Sequence, residues 1–314
     1  MRIVFCGTPE FALPSLRRLI AEPEFAVEAV ITQPDRPRGR GQQTASSPVK
    51  EAALEVGLHV YQPEKIRSDS TYEFFKRVAP DAVVIIAYGQ IIPPPLLEVP
   101  RLGWINLHAS LLPHYRGAAP INWAIMNGES HTGLTTMQID EGMDTGPTLL
   151  KREIQIGPAE TAPQLAHRMA EIGAPLIVET LTKFDHGEIN PVLQDNWEAT
   201  LAPRLRKEDG RIDWNWNAQK IYNYMRGLEP WPGTFTQFRG NSCQVWAFPA
   251  VPHVAALGGA APGKIIDVGT EIRVACGEHT WMKLEGVQIE GRKRVAARDF
   301  ANGARLTAGE RFGD

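Results

Sequence analysis

Six short apolar runs punctuate the first half of the chain: Ile3–Cys6, Val27–Thr32, Ala82–Ala87, Trp104–Leu107, Leu134–Ile139 and Leu149–Ile156. Several show no apolar/polar alternation, and a strand escapes alternation only when both of its faces are covered. Between the runs, Pro9–Ile20, Pro48–Val56, Ser70–Val78, Ala119–Met126 and Pro163–Phe184 carry helical spacing. It is clearest in the last, where Leu165, Met169, Ile172, Leu176, Val178 and Leu181 mostly recur at three or four. Strands alternating with helices predict an α/β fold built on a doubly wound parallel sheet, whose ligands lie outside the carboxyl ends of its strands.

A polar, irregular stretch from His186 to Pro203 reads as a linker, and beyond it the pattern changes. Lys207–Asp213 leads into a short helix, Ala218–Met225, and then come Thr234–Phe238, Cys243–Phe248, Lys264–Val268, Ile272–Ala275 and Trp281–Val287, short runs separated by Gly, Asn and Pro. That is the pattern of a small all-β barrel or sandwich. The expected boundaries are 1–189 for the first domain, 190–206 for the linker and 207–314 for the second domain.

Charge follows the same division. Residues 1–202 carry 17 Lys and Arg against 24 Asp and Glu, while 203–314 carry 16 against 12, within an overall net charge of −3. The basic second half points to a polyanion there, or to an ordinary basic surface. Three widely spaced cysteines, Cys6, Cys243 and Cys276, make neither a disulfide framework nor a zinc motif and read as buried thiols. No apolar run approaches the roughly 20 residues of a membrane span, and Met1 leads straight into Ile3-Val4-Phe5, so a cytoplasmic location is expected.

Gly7-Thr8-Pro9 starts like a dinucleotide fingerprint, but Pro9 stands where the second glycine must let a pyrophosphate approach, and a plain strand-to-helix turn is the better reading. More informative is Trp104-Ile105-Asn106-Leu107-His108, where alternation projects Asn106 and His108 from one face. Ser110 and Pro113 stop the strand, which puts His108 at the carboxyl edge of the sheet. A second polar cluster lies in Gln138–Pro147, a loop with the acids Asp140, Glu141 and Asp144 and the glycines Gly142 and Gly146. A solvated acidic turn would look the same; a calcium loop would not, since its ligand spacing is missing. Together the two segments offer what acyl transfer needs: an amide donor for an oxyanion, an imidazole to move a proton, and a carboxylate to orient it. Without a cysteine or a G-x-S-x-G elbow beside the histidine, direct attack by a substrate amine is more natural than an acyl-enzyme.

These residues resemble the signature of the folate-dependent formyltransferases: Asn106-x-His108, Ser110-Leu111-Leu112-Pro113 continuing through Tyr115-Arg116-Gly117-Ala118-Ala119-Pro120-Ile121, and Asp144 in Asp-x-Gly-x-Asp-Thr-Gly. The resemblance covers essentially the whole chain. It extends to Phe5-Cys6-Gly7-Thr8-Pro9-Glu10-Phe11, Thr32-Gln33-Pro34-Asp35-Arg36-Pro37, Gly39-Arg40-Gly41, Ser47-Pro48-Val49-Lys50, Ala87-Tyr88-Gly89, Arg211-Ile212-Asp213-Trp214 and Pro230-Trp231-Pro232. It implies a Rossmann-like formyltransferase domain followed by an OB-like β-barrel. The implied reaction moves the formyl group of 10-formyltetrahydrofolate, a co-substrate, to the α-amine of initiator methionyl-tRNA, with no metal, no membrane and a monomeric enzyme.

By the same resemblance Asn106 and His108 stabilise the oxyanion and Asp144 assists proton transfer. Folate is expected against Ile86, Tyr88, Gly89, Gln90, Ser110, Leu111, Leu112, Pro113 and Asp140, with backbone groups reading the pterin edge. Arg36, Arg38 and Arg40, in a Pro/Gly-rich loop, are expected at the tRNA acceptor stem, and Lys207, Arg292, Lys293 and Arg294 along its backbone. A formyltransferase acting on a small amine, or a silent RNA-binding protein, would compete with this reading.

Overall fold

In a computed structural model that describes residues 1–38, 43–250 and 260–313, the non-alternating runs become the middle of one sheet. The elements in order are β1 (Arg2–Gly7), α1 (Leu13–Ala21), β2 (Ala26–Ile31), β3 (Arg36–Arg38), β4 (Gln43–Ala45), α2 (Pro48–Glu55), β5 (Val60–Tyr61), α3 (Asp69–Val78), β6 (Ala82–Ile86), α4 (Pro94–Leu97), β7 (Trp104–His108), α5 (Pro120–Met126), β8 (His131–Gln138), β9 (Thr148–Gln155) and α6 (Ala162–Asp185). The sheet runs β5-β2-β1-β6-β7-β8-β9, parallel from β5 to β7, and every residue of β6 is buried. β3 and β4 form a separate antiparallel hairpin.

The sheet is not wholly parallel as expected. β8 is antiparallel to β7, and β9 to β8. Residues 139–147 join β8 directly to β9, and a parallel pair would require a crossover of a dozen residues or more.

Alternation in β7 is visible in its packing. Leu107 meets α6 so closely that a Cβ on Gly173 would lie 2.5 Å from its Cδ2. On the opposite face Trp104 packs against Phe75 of α3, ring centroids 5.1 Å apart, and its indole N–H donates to Leu96 O at 2.7 Å. Asn106 and His108 share that second face.

The chain divides into two compact units. Met1–Pro120, His131–Gln155 and Gln164–Pro203 make the first; Ile121–Ser130, Ile156–Pro163 and Arg204–Asp314 make the second. The stretch up to Pro203, read as linker, thus packs with the first unit. It does so through backbone pairing: Thr148 bridges Val192 and Arg116 bridges Leu201.

The second unit contains α7 (Ala218–Gly227), β10 (Phe235–Phe238), β11 (Asn241–Pro249), β12 (Ile265–Val268), β13 (Ile272–Ala275), β14 (Trp281–Ile289), β15 (Val295–Ala296) and α8 (Ala297–Ala304). Its antiparallel sheet follows β10-β11-β14-β13-β12, with β15 on β14. Trp214, Phe238, Phe300 and Phe312 stand in its core. It is not purely β: α8, absent from the sequence reading, buries Ala297, Phe300 and Ala301 at helical spacing. Among the described residues no helix is long and apolar enough to cross a membrane, and no group of three His, Cys, Asp or Glu could hold a metal ion.

Candidate active site

β7 carries Asn106, half-buried, and His108, buried, to the end of the parallel strands. His108 Nε2 lies 3.0 Å from Tyr115 O, and a carbonyl only accepts, so the proton sits on Nε2 and Nδ1 is left facing Asp144 Oδ1 at 3.6 Å. Tyr115 has φ 60°, and its N–H donates to Thr200 Oγ1 at 2.8 Å, which fixes the carbonyl that holds the ring. The separation of 3.6 Å is longer than a hydrogen bond, so neither Nδ1 nor Oδ1 is saturated by the other.

The loop after β8 sorts its three acids. Asp140 Oδ1 accepts from Gly142 N–H at 3.0 Å and from the Thr145 hydroxyl at 2.7 Å, so it closes its own turn. Glu141 is exposed. Asp144 alone reaches the histidine, from a backbone at φ 54° where Asp and Asn are the tolerated residues. Its Oδ2 accepts from Gly117 N–H at 2.8 Å. Gly146 is required by close approach, since a Cβ there would stand 2.0 Å from Gln138 O.

The loop is also held from behind, by residues to which the sequence reading gave no role. Gln194 Nε2 donates to Asp144 O at 2.8 Å and to Gly146 O at 2.7 Å. Its Oε1 accepts from Arg116 Nε at 3.1 Å and Nη2 at 2.8 Å, and Arg116 Nη2 also donates to Asn196 Oδ1 at 2.9 Å. Gln194 is 50 residues from Asp144 in a stretch read as linker, where no local pattern marks it; Arg116 stood only as part of a motif.

Several residues expected at the folate turn their side chains inward. Ile86, Tyr88, Ser110 and Leu112 are buried. The Tyr88 phenol lies in the apolar cluster with Val4, Cys6 and Ile31, where burial pushes its pKa up, and only its carbonyl, which accepts from Gln33 Nε2 at 2.9 Å, is polar contact. Ser110 donates to His114 O at 2.6 Å, and Leu112 has both backbone groups engaged, N–H with Thr135 Oγ1 at 3.1 Å and C=O with Lys151 Nζ at 2.5 Å. Gln90 Oε1 accepts from Ile66 N–H at 2.8 Å. Gly89, at φ 87°, is exposed, and Leu111, Pro113 and Asp140 are half-buried. Most polar side chains at these positions are thus engaged within the protein, as are both backbone groups of Leu112 and the carbonyl of Tyr88.

Of the arginines expected at tRNA, Arg36 is exposed on β3, Arg38 is in the same strand, and Arg40 lies outside the described residues. The base of the hairpin is anchored by Asp35, whose carboxylate takes Lys50 Nζ and Gln62 Nε2; Lys50 first, and then Gln62, hold its pKa below the ordinary 3.8. In the second unit Lys207, Arg292, Lys293 and Arg294 are exposed. Arg294 is already engaged, with Glu285 at 3.2 Å and over the Trp246 ring at 4.1 Å.

The family model described as formyl transferase matches residues 1–181, and that described as formyl transferase, C-terminal domain, matches residues 204–305. The chain belongs to the formyl transferase family. Relatives of this formyl transferase include the methionyl-tRNA formyltransferase of Solibacter usitatus, 52% identical over 100% of this chain and 99% of that one, and its namesake from Koribacter versatilis, 49% identical over the same shares. Among solved structures, WlaRD, a sugar 3N-formyl transferase determined with dTDP and 5-N-formyl-THF, superposes with a TM-score of 0.64 at 15% identity, covering 93% of this chain and 99% of that one. HypX from Aquifex aeolicus in complex with tetrahydrofolic acid gives 0.61 at 17% identity, covering 99% of this chain and 48% of that one, so this formyl transferase spans about half of HypX. At such identities the likeness is one of fold.

Proposed function

We propose that this formyl transferase moves the formyl group of 10-formyltetrahydrofolate to the α-amine of methionine esterified to the initiator tRNA, giving N-formylmethionyl-tRNA for translation initiation. The observation that carries this reading is the His108–Asp144 pair on the Asn106 face of β7, with Nδ1 and Oδ1 3.6 Å apart, in a chain that aligns end to end with methionyl-tRNA formyltransferases. All three cysteines are buried, in keeping with attack by the substrate amine rather than by an enzyme nucleophile.

The neutral amine attacks the formyl carbon, the carbonyl oxygen takes up the negative charge, and the bond from carbon to N10 breaks as N10 receives the proton that the amine gives up. Asn106 donates an amide N–H to the oxyanion, and His108, in its doubly protonated form, adds positive charge beside it. Asp144 moves the proton. The ester on methionine favours the neutral amine, which a free amino acid at pH 7 mostly lacks.

Folate would lie against Ile86–Gln90, Ser110–Pro113 and the Asp140–Asp144 loop, read by backbone groups. Arg36, Arg38 and Arg40 would meet the acceptor stem, and Lys207 and Arg292–Arg294 the sugar-phosphate backbone. Residues 1–189 would carry the chemistry and 207–314 bind tRNA, in a cytoplasmic monomer. Asn106→Ala and His108→Ala should each lower kcat by roughly two decades or more, with tRNA affinity little changed. A wild-type kcat in either variant would remove that residue from the chemistry.

A further inference from the structure

Arg116 is a buried cation, 6% exposed, whose guanidinium meets amide oxygens and, among the described residues, no carboxylate. Burying a charge without a counter-charge is costly, so its hydrogen bonds carry the compensation. Two of its nitrogens converge on Gln194 Oε1. That settles which way the Gln194 amide faces: reversed, its NH2 would oppose the guanidinium and its oxygen would oppose the carbonyls of Asp144 and Gly146. With the oxygen on Arg116, the NH2 must point to those two carbonyls, at 2.8 and 2.7 Å.

The connections close on themselves. Arg116 orients Gln194, Gln194 holds the backbone on both sides of Thr145, Asp144 is thereby kept in its left-handed conformation, and its Oδ2 accepts from the N–H of Gly117, the neighbour of Arg116. The same segments are paired through their backbones, Arg116 N–H to Thr200 O at 2.8 Å and Ala202 N–H to Arg116 O at 2.7 Å.

We propose that Gln194, oriented by Arg116, is a positioning residue for the formyl-transfer site, which sets the Asp144 carboxylate against His108. Residues 194–202 then assemble the active site rather than merely join two domains. The inference rests on the functional reading above for its kinetic consequence, but not for its structural one.

Gln194→Glu separates the roles. A carboxylate keeps the length and pairs with Arg116 at least as well, yet it places an acceptor against two carbonyl oxygens. In the full-length enzyme, kcat should fall about 10- to 100-fold, as for a small misplacement of a catalytic group, with KM for both substrates within about twofold and an unchanged or higher Tm. Exchange of the Gly117 amide, followed by hydrogen–deuterium exchange, should accelerate because its acceptor moves. The double variant Arg116→Met with Gln194→Met, which removes the donor without leaving a buried charge uncompensated, repeats both readouts if the glutamate variant folds poorly. A wild-type kcat, or unchanged Gly117 exchange, overturns the proposal. If the wild-type enzyme formylates no aminoacyl-tRNA, the functional reading falls, and Gly117 exchange still decides this one.

Discussion

Replacing Asp144 by Asn removes the charge of the carboxylate, and with it the capacity to take a proton, while keeping its shape and its backbone contacts. Asn adopts φ 54° as readily as Asp, and its amide oxygen can still accept from Gly117 N–H, now at 2.8 Å. What is lost is proton acceptance and a negative charge 3.6 Å from His108 Nδ1, with side-chain exposures of only 7% for His108 and 19% for Asp144. For a protonated ring, Coulomb's law at that distance gives about 4–5 kcal/mol at an effective dielectric constant of ~20 and about 1 kcal/mol at ~80. At about 1.4 kcal/mol per decade, single-turnover formyl transfer at saturating substrates should slow by roughly one to three decades. Folding stability should change by less than about 1 kcal/mol, because the packing and the Gly117 bond survive. A near-wild-type rate would refute the role of the charge. A stability loss above about 3 kcal/mol would mean that the site had collapsed and that the rate reported nothing about electrostatics.

Gly146→Ala would drive a Cβ to 2.0 Å from Gln138 O, and no side-chain rotation can relieve a backbone clash, so both kcat and Tm should fall, with about 1–3 kcal/mol of strain; wild-type thermal unfolding and rate would show that the loop has room. Burial pushes the thiols of Cys243 and Cys276 up to about 12 and raises that of Cys6 as well, so a thiol reagent at pH 8 should label none of the three in the native enzyme and all three after unfolding. Rapid native labelling would contradict the packing of both units. Asp35 titrates below its ordinary 3.8, so what its pairing contributes is fully present above that value and is lost as pH falls through the lower folded value. The stability gap between wild type and Asp35→Asn in denaturant titrations should therefore be constant from about pH 7 to 5 and shrink in more acidic solution; a gap that does not change with pH would remove the Lys50 pairing from the balance.

How far the site was legible depends on how local its cause is. Asn106 and His108 could be placed on one face from three residues of alternation, and the stop at Ser110 and Pro113 gave their location. Asp144 was legible as an acid in a glycine-bearing loop, but spacing alone does not separate it from Asp140 and Glu141. The distinction lies in hydrogen bonding: Asp140 is taken by Gly142 and Thr145, and only Asp144 is free to face the ring. Gln194 was invisible because its partners, two backbone carbonyls and the Arg116 guanidinium, are distant in sequence, and no local pattern announces them. Tyr88, expected to line the folate, turns its ring into the core. Of the fold, the buried strands were legible through missing alternation. The antiparallel pairing of β9 with β8 followed from loop length rather than composition, and α8 is too short, with Asn302 and Gly303 near its end, for a periodic signal to stand out.

Formyl transfer from 10-formyltetrahydrofolate to initiator methionyl-tRNA, with elongator methionyl-tRNA, free methionine and nucleotide amino sugars as parallel acceptors, is the most direct measurement. Rapid transfer confined to the initiator tRNA is the expected result. Transfer to a small amine at a comparable kcat/KM, with none to the initiator tRNA, would keep the Asn106, His108 and Asp144 chemistry and contradict the proposed acceptor.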